Sequence, residues 1–387
     1  MENTEESVFE FGDQDYASAI GWQPWGPTAA EIREAQTPDM LYARPASEWM
    51  TSAMTAPPNQ RLYGPYLHRD ELTIMFGPTG VNKSTFGVQL AECLARGVAM
   101  PPFESNVGPQ RVLYLDFELD ATQFAMRYSV ISEDGAAYTL PYDFSTNFIR
   151  AEMSWDGRVL DGYDGFSQMF FRNVSELIDE YESDILIVDN ITFLDQSSTA
   201  NVNTALGVMR ALTRLRKSKL ISILVLAHAA KRRYAKPLTE ADLQGSINLA
   251  NFADSIIALG VSHADPGLRY LKQIKSRSAR IEHGTGSVAV FKLAKFDLAA
   301  QLGLVQNTTR PAVNNMLGLK FEYFVPEAEH LEPKEIGLSG MPVNKEEKIE
   351  IVKKMAAEGK TRRAIAKKLG LSRQTVYRYL EATTNER

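Results

Sequence analysis

Cysteine is almost absent from this chain: Cys93 is the only one in 387 residues. A single thiol cannot close an internal disulfide, and five scattered histidines leave little from which to build a structural zinc site. Cys93 falls in an apolar helical stripe, which assigns it to packing rather than chemistry. No apolar run approaches the ~20 residues that a membrane span needs. The first residues, Met1-Glu2-Asn3-Thr4-Glu5-Glu6, are acidic and lack the basic and apolar regions of a signal peptide. Internal repeats and low-complexity runs are also missing. These absences predict a soluble, cytoplasmic protein with no membrane partner.

Apolar residues make up 44% of the chain, enough to bury one large domain plus a small one, or two medium ones. The net charge of −6 argues against a polyanionic partner, but its distribution argues for one. Residues 345–387 hold twelve bases against six acids, whereas residues 1–60 hold ten acids against two bases. A basic tail on an acidic body predicts a separate site for a polyanion. Within residues 1–60, weak periodicity and Trp22, Trp25 and Trp49 suggest an extension packed on the body or docked on a neighbouring subunit.

The rest of the chain is arranged around Gly77-Pro78-Thr79-Gly80-Val81-Asn82-Lys83-Ser84. Before it, Glu71 to Phe76 reads as a buried strand; after it, Thr85 to Arg96 reads as a helix ending at Gly97. Strand, glycine-bearing turn and helix with Lys-Ser at its start form the layout of a P-loop. Successive backbone N–H groups there make a nest for phosphates. In that layout Lys83 reaches the β- and γ-phosphates of ATP and the Ser84 hydroxyl sits on Mg²⁺. One residue departs from G-x-x-x-x-G-K-[ST]: Asn82 stands where glycine is expected. Asn tolerates left-handed backbone better than most residues, so the loop is expected to keep its shape.

Strand and helix signals alternate from about Leu62 to Leu317, which predicts an α/β domain with a largely parallel sheet. Arg111 to Glu118 and Asp184 to Asn190 are strands ending in carboxylates, and Ile221 to Leu226 is a buried strand closing on His228. Residues 132–168 read as an insertion or long loop, and residues 319–344, with Pro326, Pro333 and Pro342, as a linker. Asp189 is placed to hold Mg²⁺ beside Ser84. Hydrolysis also needs a base within reach of the γ-phosphate, and Glu118 at a neighbouring strand end is the candidate. Asp116, two residues earlier, points to the same side and is its rival.

Gly77–Ser84, Leu115-Asp116-Phe117-Glu118-Leu119, Ile187-Val188-Asp189-Asn190 and Leu226-Ala227-His228-Ala229-Ala230-Lys231, in this order, resemble the RecA-like ATPases. The similarity is greatest to the hexameric helicases of the RepA plasmid type and the DnaB type. That resemblance implies a catalytic base at Glu118 and a γ-phosphate sensor at His228. Gln244-Gly245-Ser246 followed by Ala253-Asp254 is similar to a RepA-type segment with Gln in place of Arg. Lys272 to Arg277 resembles the strand that presents fingers to the next subunit's nucleotide, which implies that role for Lys275 and Arg277. The loop at Lys231, Arg232, Arg233 and Tyr234 occupies the place of channel loops that hold single-stranded DNA. Basic side chains beside an aromatic platform suit that use, although a solvated loop would look the same.

In the tail, Glu347–Ala357 reads as a helix stopped by Gly359, Thr361 as the cap of a second helix, and Ser372 as the cap of a third. This spacing is a helix-turn-helix, and it looks like the DNA-binding tail of resolvases and invertases. The third helix offers Arg373, Gln374, Thr375 and Tyr377 to a major groove, with Arg378 toward phosphate. A helical protein contact is the alternative use, and the basic excess favours duplex DNA.

The expectation is a RecA-like P-loop core at residues 62–318, an acidic extension at 1–61, a linker at 319–344 and a small all-α helix-turn-helix domain at 345–387. The expected nucleotide contacts are Gly77, Pro78, Thr79, Gly80, Val81, Asn82, Lys83, Ser84 and Thr85. The resemblance implies a homo-oligomeric, hexameric DNA helicase of a plasmid, phage or mobile element, using ATP and Mg²⁺. A regulator or loader switched by ATP, and a filament-forming recombinase, are the alternatives.

Overall fold

A strand covered on both faces needs apolar residues at every position, and the chain supplies several such runs. The computed structural model describes residues 43–55, 60–103, 107–131, 138–153, 166–191, 202–230, 236–243, 246–297, 315–331, 345–368 and 373–381. It divides into two units, Met1–His330 and Leu331–Arg387.

The first unit opens on helix α1 (Ala46–Thr55) and a hairpin of β1 (Arg61–Tyr63) and β2 (Leu67–His68). Strand β3 (Leu72–Gly77) then leads through the glycine-bearing turn into α2 (Lys83–Arg96). Next come β4 (Val112–Asp116), α3 (Ala121–Arg127) and a hairpin of β5 (Ser129–Ile131) and β6 (Tyr138–Pro141). Strand β7 (Phe148–Glu152), α4 (Phe166–Glu180), β8 (Ile185–Asp189), α5 (Val202–Lys219) and β9 (Ser222–His228) alternate as parallel pairing requires. Helix α6 (Ser246–Phe252) and β10 (Ser255–Val261) follow. Strands β11 (Leu268–Ser276), β12 (Val288–Asp297) and β13 (Asn315–Val325) close the unit as an antiparallel meander.

Nine strands make one sheet, in the order β13-β12-β11-β10-β3-β9-β8-β4-β7. The six from β10 to β7 are mutually parallel. Side chains alternate across the sheet, so each strand feeds two cores. Leu72, Ile74 and Phe76 of β3 share one core with Phe170, Val174 and Ile178 of α4 and with Val208, Leu212 and Leu215 of α5. Met75 shares the other with Phe86, Val88, Leu90 and Cys93 of α2. The buried Cys93 thiol has its pKa pushed up, first by desolvation and then by Glu92, so it is a packing group as expected. Register sets the ends of the parallel strands level: Gly77 lies opposite His228, Asp189 opposite Leu226, and Asp116 opposite Asp189.

Two expected boundaries move. The stretch read as an insertion contains β7, the outermost strand of the main sheet, and α4 begins at Phe166 within it. The unit also runs past residue 318: β13 crosses that boundary, and α2 holds it, since Gln89 donates to the Leu319 carbonyl (3.1 Å) and accepts from its N–H (2.7 Å). Beyond it, buried Glu327 takes an ion pair from Lys272 at 2.6 Å and the N–H of Leu238 at 2.9 Å. The first part of the expected linker is therefore body. Lys320 and Glu322 alternate with apolar residues because β13 is an edge strand with one wet face. Of the N-terminal extension, Trp22 and Trp25 lie outside the described residues.

The second unit has α7 (Lys345–Ala357), α8 (Arg362–Lys368) and α9 (Arg373–Glu381). Gly359, with φ of 76°, ends α7, and the Thr361 hydroxyl accepts from the Ala364 N–H at 3.3 Å to start α8. Val352, Met355, Ile365, Ala366 and Val376 form its core. Leu369 and the Ser372 cap lie outside the described residues. The fold class is the expected one: α/β on a mainly parallel sheet, plus a small all-α helix-turn-helix.

Candidate active site at the sheet edge

The turn after β3 needs two glycines for different reasons. A Cβ on Gly77 would sit 2.3 Å from the Leu259 carbonyl oxygen, so β10 leaves no room for one. Gly80 has open space but a φ of 78°, which L side chains rarely adopt. Asn82 has φ 72° and ψ 36°, the left-handed conformation that glycine would take, so the departure from the motif preserves the backbone. Its side chain does not cap α2; its Oδ1 accepts from the Arg269 guanidinium at 3.1 Å, and the Arg269 Nε–H donates to the Val81 carbonyl at 3.2 Å. Pro78 and Thr79 complete the turn, Val81 is fully buried and Thr85 is buried behind Ser84.

Lys83, at the start of α2, is buried and donates to the carbonyls of Gly77 (3.0 Å) and Pro78 (3.1 Å) and toward His228 Nδ1 at 3.4 Å. An ammonium can only donate to Nδ1, and the Asn190 amide nitrogen likewise faces Nε2 as a donor, so the two contacts favour opposite tautomers of a neutral ring. The ring is held neutral because desolvation, then Lys83, lower its pKa against the opposing pull of Glu118. His228 Nε2 lies 3.7 Å from Glu118 Oε1 and 3.1 Å from Asn190 Nδ2. Asn190 donates to that same Glu118 oxygen. The other Glu118 oxygen accepts from the Ser84 hydroxyl at 3.5 Å.

Geometry separates the two rival carboxylates. Asp116 is buried and fully engaged: Oδ1 accepts the N–H groups of Glu118 (3.1 Å) and Leu119 (2.9 Å), and Oδ2 takes the Arg150 Nε–H at 2.9 Å. It builds the bend that presents Glu118, whose side chain is 41% exposed at the edge. Glu118 is the reactive candidate and Asp116 its support.

Asp189 is buried, with Tyr114 donating to Oδ2 at 2.7 Å and Oδ1 left without a hydrogen-bond partner. Burial pushes its carboxyl up to about 6; Glu118 and Asp116 add to the rise, and the Tyr114 hydrogen bond opposes it. An orphaned, buried carboxylate oxygen beside a hydroxyl is a hard-oxygen pair that suits Mg²⁺, which takes one or two carboxylates and shares its shell with phosphates. Among the described residues no cluster of three acidic, histidine or cysteine side chains offers an all-protein metal cage. The residues present therefore fit Mg²⁺ brought with a nucleotide, held by Ser84 and Asp189.

Lys83, Ser84, Glu118, Asp189 and His228 thus meet at one edge. Lys275 and Arg277 do not. Strand β11 runs antiparallel, so Lys275 pairs with Ile256, which pairs with Ile74, about 10 Å of strand back from Gly77. There Lys275 donates to the Ala250 carbonyl (2.7 Å), and Arg277 to the Asn251 carbonyl (2.7 Å) and Asp254 (3.3 Å). These are cations on the last turn of α6, a favourable place for them. Lys231, Arg232, Arg233 and Gln244 lie outside the described residues. In the second unit Thr375, Tyr377 and Arg378 share α9; Tyr377 and Arg378 are exposed, and the Arg362 guanidinium lies 5.1 Å over the Tyr377 ring. Arg373 and Gln374 open α9.

Sequence reasoning missed Tyr114, Arg150, Asn190 and Arg269. Each is a single side chain in an apolar or charged run with no spacing signal. Only Asn190, next to the strand-ending Asp189, stood where a strand-end position could have flagged it.

Residues 342–383 match the helix-turn-helix domain of resolvase. No curated protein matches the chain. Among solved structures, a KaiC-like protein from the hyperthermophilic archaeon Pyrococcus horikoshii aligns at 13% identity with a TM-score of 0.42, covering 61% of this chain and 96% of that one. Residues 38–234, half of the chain, match the AAA domain, and the chain belongs to that family of ATPases.

Proposed function

We propose that the chain is an ATP-hydrolysing DNA motor: a RepA-type replicative helicase of a plasmid, phage or mobile element, working as a hexameric ring with a duplex-reading tail. The observation that carries ATP hydrolysis is the pairing of Glu118 with the Ser84 hydroxyl at 3.5 Å beside the orphaned oxygen of Asp189. A bound Mg²⁺–ATP supplies the transferable phosphoryl group. Lys83 and the loop N–H groups bind its phosphates. Glu118 accepts the proton of the attacking water, and Asn190 fixes the orientation of that carboxylate. The His228 ring contacts Lys83 at Nδ1 and lies 3.7 Å from Glu118, which places it to sense the phosphate charge beside both. Lys275 and Arg277 lie back from their own loop, on the last turn of α6, so a finger role for them would need a neighbouring subunit's nucleotide in a ring.

ATPase turnover with and without single-stranded DNA, strand displacement, and mass with nucleotide bound test the proposal together. Stimulated turnover, unwinding and a closed ring are expected. A second reading, a DNA-site regulator or loader that uses ATP as an assembly switch, draws on the resolvase-type match of the tail. Nucleotide-dependent assembly without strand displacement would replace the first reading with it.

A further inference from the structure

Arg269 is 8% exposed and is the second residue of β11, opposite Val261 of β10, at the phosphate-loop end of the sheet. Its guanidinium donates to four neutral oxygens: Val81 O (3.2 Å), Asn82 Oδ1 (3.1 Å), Pro266 O (2.6 Å) and Leu268 O (3.0 Å). Among the described residues no carboxylate lies within ion-pair distance of it, so this is a buried cation spent on backbone and one amide. Two of those four oxygens belong to consecutive residues of the loop, and one of them is the side chain standing where glycine is expected. A fork-shaped donor is the side chain able to grip a main-chain carbonyl and the next residue's amide at once.

A glycine at position 82 would reach its left-handed backbone unaided. Asparagine reaches it less freely and carries an amide that has to be placed somewhere. With Oδ1 engaged by Arg269, that amide is committed to the β11 side of the loop, and the Asn82 carbonyl is free to accept the Phe86 N–H at 3.0 Å and start α2. We propose that Arg269 is the positioning residue of the phosphate loop, holding Asn82 in the conformation that glycine adopts unaided. The proposal rests on Gly77–Ser84 being the phosphate cradle, and it assigns to β11 a role in shaping a loop that lies about 190 residues away in sequence.

A double-mutant cycle on the full chain tests it, with ATP affinity and thermal unfolding as two readouts. Arg269→Met keeps the apolar stem and removes the fork; Arg269→Lys keeps the charge but cannot grip both oxygens. In the Asn82 background both should weaken ATP binding roughly ten- to a hundredfold, the size of losing a hydrogen bond to a charged donor. In the Asn82→Gly background the loss should be smaller by roughly fivefold or more, and the drop in melting temperature should shrink with it. Equal losses in both backgrounds would overturn the proposal, since a merely structural arginine would not sense residue 82. Lys83→Ala in the same assay separates the two layers: if the unmutated chain shows no Lys83-dependent ATP binding, the nucleotide reading falls, and the melting-temperature cycle still decides whether Arg269 holds Asn82.

Discussion

Asp116 and Glu118 sit two residues apart at the end of one strand, and their hydrogen bonds give them opposite duties. Asp116 spends both oxygens on Arg150 and on the bend, so Asp116→Asn should lower stability by about 1–3 kcal/mol through the weakened ion pair and turn. Glu118→Gln removes the base but keeps its size. Turnover should fall by roughly 10²–10⁴ while ATP binding and melting temperature hold. Parallel ATPase and melting curves check both, and the reverse pattern would exchange the two roles. Asp189 allows a pH test. Its carboxyl is raised from an ordinary 3.8 to about 6, so in the folded chain the ionised form is costly above pH 6. That cost is about 3 kcal/mol at pH 7.5, fades as pH falls through 6, and is gone below the unfolded value. Asp189→Asn in a chelating buffer should therefore raise the melting temperature at pH 7.5 and gain little near pH 4, and with Mg²⁺ supplied it should abolish turnover. A lower melting temperature at pH 7.5 would mean the carboxylate is not penalised by burial.

At the scale of elements, the parallel strands were legible because both of their faces are buried. Leu72 to Phe76, Ile185 to Val188 and Ile223 to Leu226 are apolar at nearly every position, and carboxylate or histidine ends mark where the sheet meets the site. Left-handed Asn82 was legible too, from the intrinsic tolerance of asparagine. Strand β13 was not, because an edge strand alternates, and Pro326 just beyond it gave a linker signal. Strand β7 was lost among glycines and aspartates that flank it. The hydrogen-bonded partners Asn190 and Arg269 depend on tertiary pairing, which no local pattern encodes. The β13 correction has a direct test. A chain ending at residue 318 lacks most of β13, leaves buried Gln89 without both main-chain partners and strips Glu327 from Lys272. Two broken buried pairings cost several kcal/mol. A chain ending at residue 330 should unfold cooperatively at a temperature near that of the full chain, and one ending at 318 should be aggregated or melt far lower. Equal melting temperatures would restore the earlier boundary.

For the whole molecule, the division after His330 would separate the proposed chemistry from the proposed DNA binding. Every group proposed to act on nucleotide lies in the first unit. The second has its own small core of Val352, Met355, Ile365, Ala366 and Val376, and its basic excess and resolvase-type match point to duplex DNA. A tail that binds phosphates with several lysines and arginines should show affinity that falls steeply with salt, while a groove-reading helix should keep a preference between sequences at any one salt concentration. Removing residues 331–387 should therefore abolish sequence-selective duplex binding, measured by competition between DNA pools, and leave single-strand-stimulated ATPase within about twofold, because no site side chain is lost. Tyr377→Ala with Arg378→Ala should separate the two terms within the tail. If Tyr377 reads a base edge, the first change should relax selectivity by roughly 1–3 kcal/mol; if Arg378 meets phosphate, the second should weaken all sequences alike. If the shortened chain loses its ATPase instead, the tail belongs to the working assembly, and its helix-turn-helix joins subunits rather than reading DNA.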